Sequence, residues 1–118
     1  MRLAGVVLDA PDARDLAGFY QRLLGCSVQE DEPGWVVLAA PDGCTALSFQ
    51  TEPHYVPPVW PAGPGDQQMS VHLDIQVEEL ESAGAHAEKA GARLAGFQPQ
   101  DDVRVYLDPA GHPLCLFL

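Results

Sequence analysis

Val71-His72-Leu73-Asp74-Ile75-Gln76-Val77 alternates apolar and polar residues, the period-two pattern of a half-buried β-strand. Leu80, Ala83, Ala87 and Ala90 then recur on one face of a helix that Gly91 stops. Three strand candidates follow at residues 92–95, 103–107 and 114–118, with Asp108-Pro109-Ala110-Gly111 turning into the last. The order is βαβββ.

The same order stands earlier in the chain. Residues 3–9 read as a short buried strand, and Asp12 is placed to cap a helix with acid in its first turn. Leu16, Phe19, Tyr20 and Leu23 form its apolar stripe, and Gly25 ends it. Strands at 26–30, 35–39 and 45–51 follow, with turns at Pro33-Gly34 and Pro41-Asp42-Gly43. Leu8-Asp9 matches Leu73-Asp74, and Leu24-Gly25 matches Ala90-Gly91. Two copies of one α+β unit are expected, each too small to bury a core alone.

Module one is thus 1–51 and module two 71–118, joined within one domain by a linker at 52–70. That linker carries five of the eleven prolines, Pro53, Pro57, Pro58, Pro61 and Pro64. A stiff, extended connector is expected. Its Tyr55 and Trp60 are costly to leave in water and should pack over a core edge or a ligand.

Composition narrows the function. The 118 residues suit a single domain, and 47% apolar content suits a folded one. Seventeen acidic against six basic residues give a formal charge of −11. Such a surface repels nucleic acid; it suits a cationic ligand or simply keeps the protein soluble. The opening apolar run reaches Asp9 too soon for a signal-peptide core, and no run approaches the roughly 18 residues of a membrane span. Cys26, Cys44 and Cys115 are an odd number without CxxC spacing, which argues against a disulfide framework or zinc knuckle. The chain reads as cytoplasmic, with Cys26 and Cys44 structural.

The repeated unit, Phe19-Tyr20 before Leu24-Gly25, and Asp108-Pro109-Ala110-Gly111-His112-Pro113 before the last strand together resemble the vicinal oxygen chelate (glyoxalase/bleomycin resistance/dioxygenase) superfamily. Leu47-Ser48-Phe49-Gln50, Tyr55-Val56-Pro57-Pro58, Trp60-Pro61, His72-Leu73-Asp74 and Gly111-His112-Pro113-Leu114-Cys115 look like its actinobacterial glyoxalase-like branch. The likeness covers the whole chain. It implies two modules whose mixed sheets curl into a cup, helices outside and ligand within, and commonly a homodimer. Its metal enzymes take one ligand from the first and one from the last strand of each module, which here are Gly5, Ser48, His72 and Cys115. Only His72 is an ordinary ligand; Cys115 could serve a soft metal as thiolate. No cofactor and no complete metal centre are therefore expected, although a divalent ion recruited by His72 and a neighbour stays open.

Residues two apart on a strand share a face. With His72 inward, Asp74 and Gln76 join it; Asp9, Ser48, Gln50 and Cys115 take the same side of their strands. Val6, Leu8, Leu47, Phe49, Leu73, Ile75, Leu114 and Leu116 take the other, toward the helices. Candidate catalytic groups are His72, Asp74 and Asp9. His72 beside Asp74 reads as a general base with its carboxylate or as a hydrogen-bonded structural histidine. Asp9 is either the second carboxylate of an acid–base pair or a wet strand end. Ser48, Gln50, Tyr55, Trp60 and Cys115 are the candidate ligand contacts; His112 reads as a turn residue. Two function classes stand: a protein that binds a small molecule, with a cationic one favoured by the carboxylates, and a lyase, isomerase or dioxygenase of the glyoxalase type.

Overall fold

A computed structural model describes residues 1–39 and 45–118 of the protein; the expected turn at 41–43 and Cys44 lie outside them. Two compact units divide at Tyr55, Met1–Tyr55 and Val56–Leu118.

In the first unit, Asp12 stands in extended backbone (φ −141°, ψ 115°) and its Oδ1 accepts from the amides of Arg14 (2.9 Å) and Asp15 (3.2 Å). That satisfies donors a helix start leaves bare. Helix α1 (Ala13–Leu24) ends where Gly25 turns left-handed at φ 70° and donates to Gln21 O. Strands β1 (Gly5–Ala10), β2 (Val28–Glu32), β3 (Trp35–Leu38) and β4 (Ala46–Thr51) make a sheet ordered β1-β4-β3-β2, with β1 and β4 parallel.

Leu16, Phe19 and Tyr20 of α1 are buried with Leu8, Val36, Leu38 and Phe49 of the sheet. Tyr20 stacks on Phe49 at 5.5 Å between ring centres and meets Phe19 edge-on at 4.8 Å. Each such burial stabilises by about 1.5–3 kcal/mol. Leu23 is only half-buried, so the stripe is shorter than its spacing implied. Strand β2 also starts two residues later than expected. Every residue of it is exposed and its register shifts between Val28 and Glu30, so burial never fixed its ends, and Cys26 is buried ahead of it.

The second unit repeats the topology with other packing. Strands β5 (Leu73–Gln76), β6 (Arg93–Leu94), β7 (Val103–Leu107) and β8 (Pro113–Phe117) are ordered β5-β8-β7-β6, with β5 and β8 parallel. The alternation at 71–77 thus yields a strand of only four residues. Helix α2 (Leu80–Ala90) is capped by the Glu79 carboxylate, which accepts from Glu81 N and Ser82 N at 2.7 Å each. A hydrogen bond with the Ser82 side chain, followed by these two amides, holds the Glu79 carboxyl below the usual range. Gly84, Ala87 and Ala90 are the buried residues of α2, and the Tyr106 side chain of β7 fills the space above Gly84.

Two side chains finish this sheet. Gln98 donates through Nε2 to Ala95 O (2.9 Å) and Val105 O (2.8 Å), and its Oε1 accepts from Val105 N (2.8 Å). It continues the pairing that the two-residue β6 begins. Asp108, 1% exposed, accepts through Oδ1 from Ala110 N and His112 N, while its Oδ2 lies 2.8 Å from His112 Nδ1. The expected turn at 108–111 is therefore organised around a buried carboxylate, with Gly111 at φ 93°.

The proline-rich stretch is not an extended connector. Val59 N donates to Gln67 O (2.9 Å), Asp66 N to Gly63 O (3.1 Å) and Gly63 N to Asp66 Oδ2 (2.9 Å). Gly63 and Asp66 make the turn that proline content alone does not reveal. Trp60 packs on Phe97, ring centres 6.0 Å apart, and donates from Nε1 to Phe97 O at 3.2 Å.

The Gly84–Tyr106 contact can be tested directly. A Cβ at residue 84 would collide with the Tyr106 hydroxyl; such overpacking costs ~1–3 kcal/mol, partly offset by about 1 kcal/mol of helix propensity. Urea unfolding should find Gly84→Ala less stable by about 1 kcal/mol, and adding Tyr106→Phe should restore most of it.

Candidate functional site

The parallel pairing of β5 with β8 sets Leu73 beside Leu114, Asp74 beside Cys115 and Ile75 beside Leu116. Leu114 and Leu116 are buried, so the alternate residues take the opposite face. His72 directly precedes β5 and shares the face of Asp74, its Nε2 lying 3.3 Å from Asp74 Oδ1. One donor atom each from His72, Asp74 and Cys115 lie within 4.8 Å of one another. Residue parity carries half of this arrangement; strand register supplies the other half.

These three side chains line a cleft of about 320 Å³. Gln100 and Asp102, from the loop after Gln98, and Val103, Phe117 and Leu118 complete it. The lining combines polar and acidic side chains (His72, Asp74, Gln100, Asp102) with apolar ones (Val103, Phe117, Leu118). No Lys or Arg lines it among the described residues. Gln100 and Asp102 were missed by sequence reading, since a polar loop residue carries no periodic signal.

Partial burial raises the pKa of Cys115 above the usual value of about 9.0; the charge of Asp74 and a hydrogen bond to it push further the same way. A site with a protonated thiol, an imidazole and carboxylates can accept hydrogen bonds, hold a cation or relay a proton through His72.

In the first unit Asp9 sits beside Gln50 across β1 and β4, and Gln50 Nε2 donates to Asp9 Oδ1 at 2.7 Å. Ser48 is buried between Val7 and Val37 of the neighbouring strands. A Cβ on Gly5 would meet Ala46 O at 3.2 Å. Tyr55 is half-buried, its amide donating to Glu52 O. Trp60 rests on Phe97 and does not line the cleft. His112 is held by Asp108, as a turn residue should be.

Nitrogen, oxygen and thiolate ligands bind zinc at about 2.0–2.3 Å, which places tetrahedral donors roughly 3.3–3.8 Å apart. The trio of His72, Asp74 and Cys115 spans slightly more. Side chains of His72 and Asp74 are 42% and 61% exposed, so small rotations close the gap. The residues fit a borderline ion. Asp74 stands beside His72 and Cys115 as a third possible donor, outside the four positions that the family resemblance implies.

A family model described as a glyoxalase-like domain matches residues 5–117. No protein of curated function matches the sequence. Among solved structures, a glyoxalase/bleomycin resistance protein/dioxygenase family enzyme from Burkholderia phytofirmans PsJN superimposes with a TM-score of 0.75 at 18% identity, over 98% of this chain and 97% of that one. A glyoxalase family protein from Enterococcus faecalis gives 0.70 at 19%, over 99% and 97%. The bleomycin resistance determinant encoded on transposon Tn5 gives 0.64 at 19%, over 99% and 97%. At these identities the likeness is one of fold. Among the described residues no helix is long and apolar enough to cross a membrane.

The Cys115 environment makes a prediction with a defined sign. A raised folded-state pKa means that the thiol's contribution to stability is present below its unfolded value and is lost as pH rises through the folded one. Iodoacetamide should therefore modify Cys115 slowly at neutral pH and faster only above pH 9. Asp74→Asn should move that rise to lower pH, read by mass spectrometry of the labelled peptide.

Proposed function

The chain belongs to the glyoxalase-like domain family, and from that premise we propose that it binds a small molecule bearing a cationic or donor-rich group in the cleft at His72, Asp74 and Asp102. One observation carries the reading: two carboxylates and an imidazole share a cleft that no Lys or Arg lines among the described residues. An amine or guanidine there gains charge-assisted hydrogen bonds, while Val103 and Phe117 take its apolar part. The overall charge of −11 draws such ligands in.

The first unit holds a polar pair of its own, Asp9 with Gln50. Placement on the actinobacterial branch rests on the motifs around Ser48, Tyr55, Trp60, His72 and Cys115. The cytoplasmic setting rests on unpaired cysteines. A homodimer is part of the proposal, because β1 and β5 each have a neighbour on one side only within their sheets.

Calorimetric titration with amine- and guanidine-bearing compounds, against matched carboxylates, tests the function. Binding should be confined to the cationic set and weaken as salt rises. Asp102→Asn and Asp74→Asn should each reduce affinity about fivefold, equivalent to the ~1 kcal/mol of a part-exposed ion pair. Equal binding of the carboxylates would contradict the proposal.

A further inference from the structure

We propose that a second cavity, between α2 and strands β6 and β7, binds a small zwitterion with an apolar body, such as a free amino acid with a large apolar side chain. The site lies apart from the cleft described above and does not depend on the function proposed for it.

Register separates the two sites. On β7, Arg104 and Tyr106 pair with Leu116 and Leu114, whereas Val105 pairs with Cys115. Leu114 and Leu116 are buried, so Arg104 and Tyr106 take the α2 side of the sheet, opposite the face of Asp74 and Cys115. Leu94 of β6 is the register partner of Tyr106 and takes the same side. From α2, Leu80, Glu81 and Glu88 help to enclose a cavity of about 440 Å³, within the range of small-molecule sites. Glu81 and Glu88 stand two turns apart on one face of the helix.

Charges of both signs face this cavity without neutralising one another. Neither Glu81 nor Glu88 forms an ion pair with Arg104 among the described residues. Arg104 donates through Nη1 to Asp101 O (2.8 Å) and Val103 O (2.9 Å). Those bonds fix the guanidinium and leave Nε and Nη2 to meet a carboxylate side-on. Tyr106 is 5% exposed, and its hydroxyl, lying over Gly84, has no hydrogen-bond partner among the described residues. Burial pushes the phenol pKa up, and the Glu88 charge adds to this against the Arg104 charge, so the hydroxyl stays a donor at neutral pH. A ligand oxygen would satisfy it.

Ligand chemistry follows from that arrangement. An anion alone would face two carboxylates, and a cation alone would face Arg104. A zwitterion answers both: its carboxylate meets Arg104 and the Tyr106 hydroxyl, and its ammonium meets Glu81 and Glu88. Its apolar body lies on Leu80 and Leu94; Leu94 is 51% exposed, so covering it adds apolar burial.

The test follows backbone amide shifts of the unmodified chain by NMR during titration with L-phenylalanine. Amides of residues 80–88 and 104–106 should shift along one saturating curve. L-Phenylalanine methyl ester lacks the carboxylate, and N-acetyl-L-phenylalanine lacks the ammonium. Each should bind there at least about fivefold more weakly, the loss typical of a part-exposed ion pair. Arg104→Gln and Glu88→Gln should each weaken phenylalanine binding to a similar degree. The ligand series uses the unmodified protein, so it stands whatever a variant does to folding. The proposal is overturned if phenylalanine leaves these amides unmoved, if either analogue binds there as tightly as phenylalanine, or if both folded variants bind it unchanged. Asp102→Asn separates the two proposals, since it should impair amine binding in the cleft and leave the shifts of α2 and β7 intact.

Discussion

Parallel strands cannot be joined by a tight turn. Each unit here pairs its first strand with its last in parallel, so the chain between must leave the first strand, cross by a helix and return through two antiparallel strands. That requirement dictates βαβββ and the sheet order shared by the two units. It also determines which chemistry can meet. Register brings Asp9 beside Gln50 in one unit and Asp74 beside Cys115 in the other, although the partners are about forty residues apart in sequence. A slip of one residue would turn either set onto the helix-facing side.

The two units use this frame differently. In the first, aromatic rings fill the space between helix and sheet, with Phe19, Tyr20 and Phe49 fully buried. In the second, α2 presents Gly84, Ala87 and Ala90, and a small helix face lets Tyr106 occupy the gap. Leu73 and Ile75 remain half-buried. Titratable side chains gather on β5, β8 and the loop before β7, where the core makes the lighter demand on side-chain size.

Much of this was legible in the residues. Asp12, Gly25 and Gly91 mark helix ends because capping depends on local chemistry, and period-two alternation assigns strand faces wherever one face is buried. Legibility fails where burial is absent: β2 is exposed throughout, so nothing in its pattern sets its ends. Glu79 caps α2 although glutamate is not among the favoured caps. The cleft shows the limit most clearly. Parity places His72, Asp74 and Cys115 on like faces, but only the pairing of strands far apart in sequence makes them neighbours. Gln100 and Asp102 reach the same place through Gln98, whose three bonds are invisible to composition.

Gln98 performs with one side-chain amide what an additional strand residue would do with its backbone: it satisfies Val105 in both directions. The chain is therefore released from the sheet between that clasp and β7. Residues 99–102 form an interval whose length and composition are not dictated by strand pairing, yet it delivers Gln100 and Asp102 to the cleft. Part of the cleft's lining is thus set by strand register and part by a stretch that register does not govern, so residues 99–102 can vary in sequence without disturbing the pairing that holds Asp74 beside Cys115.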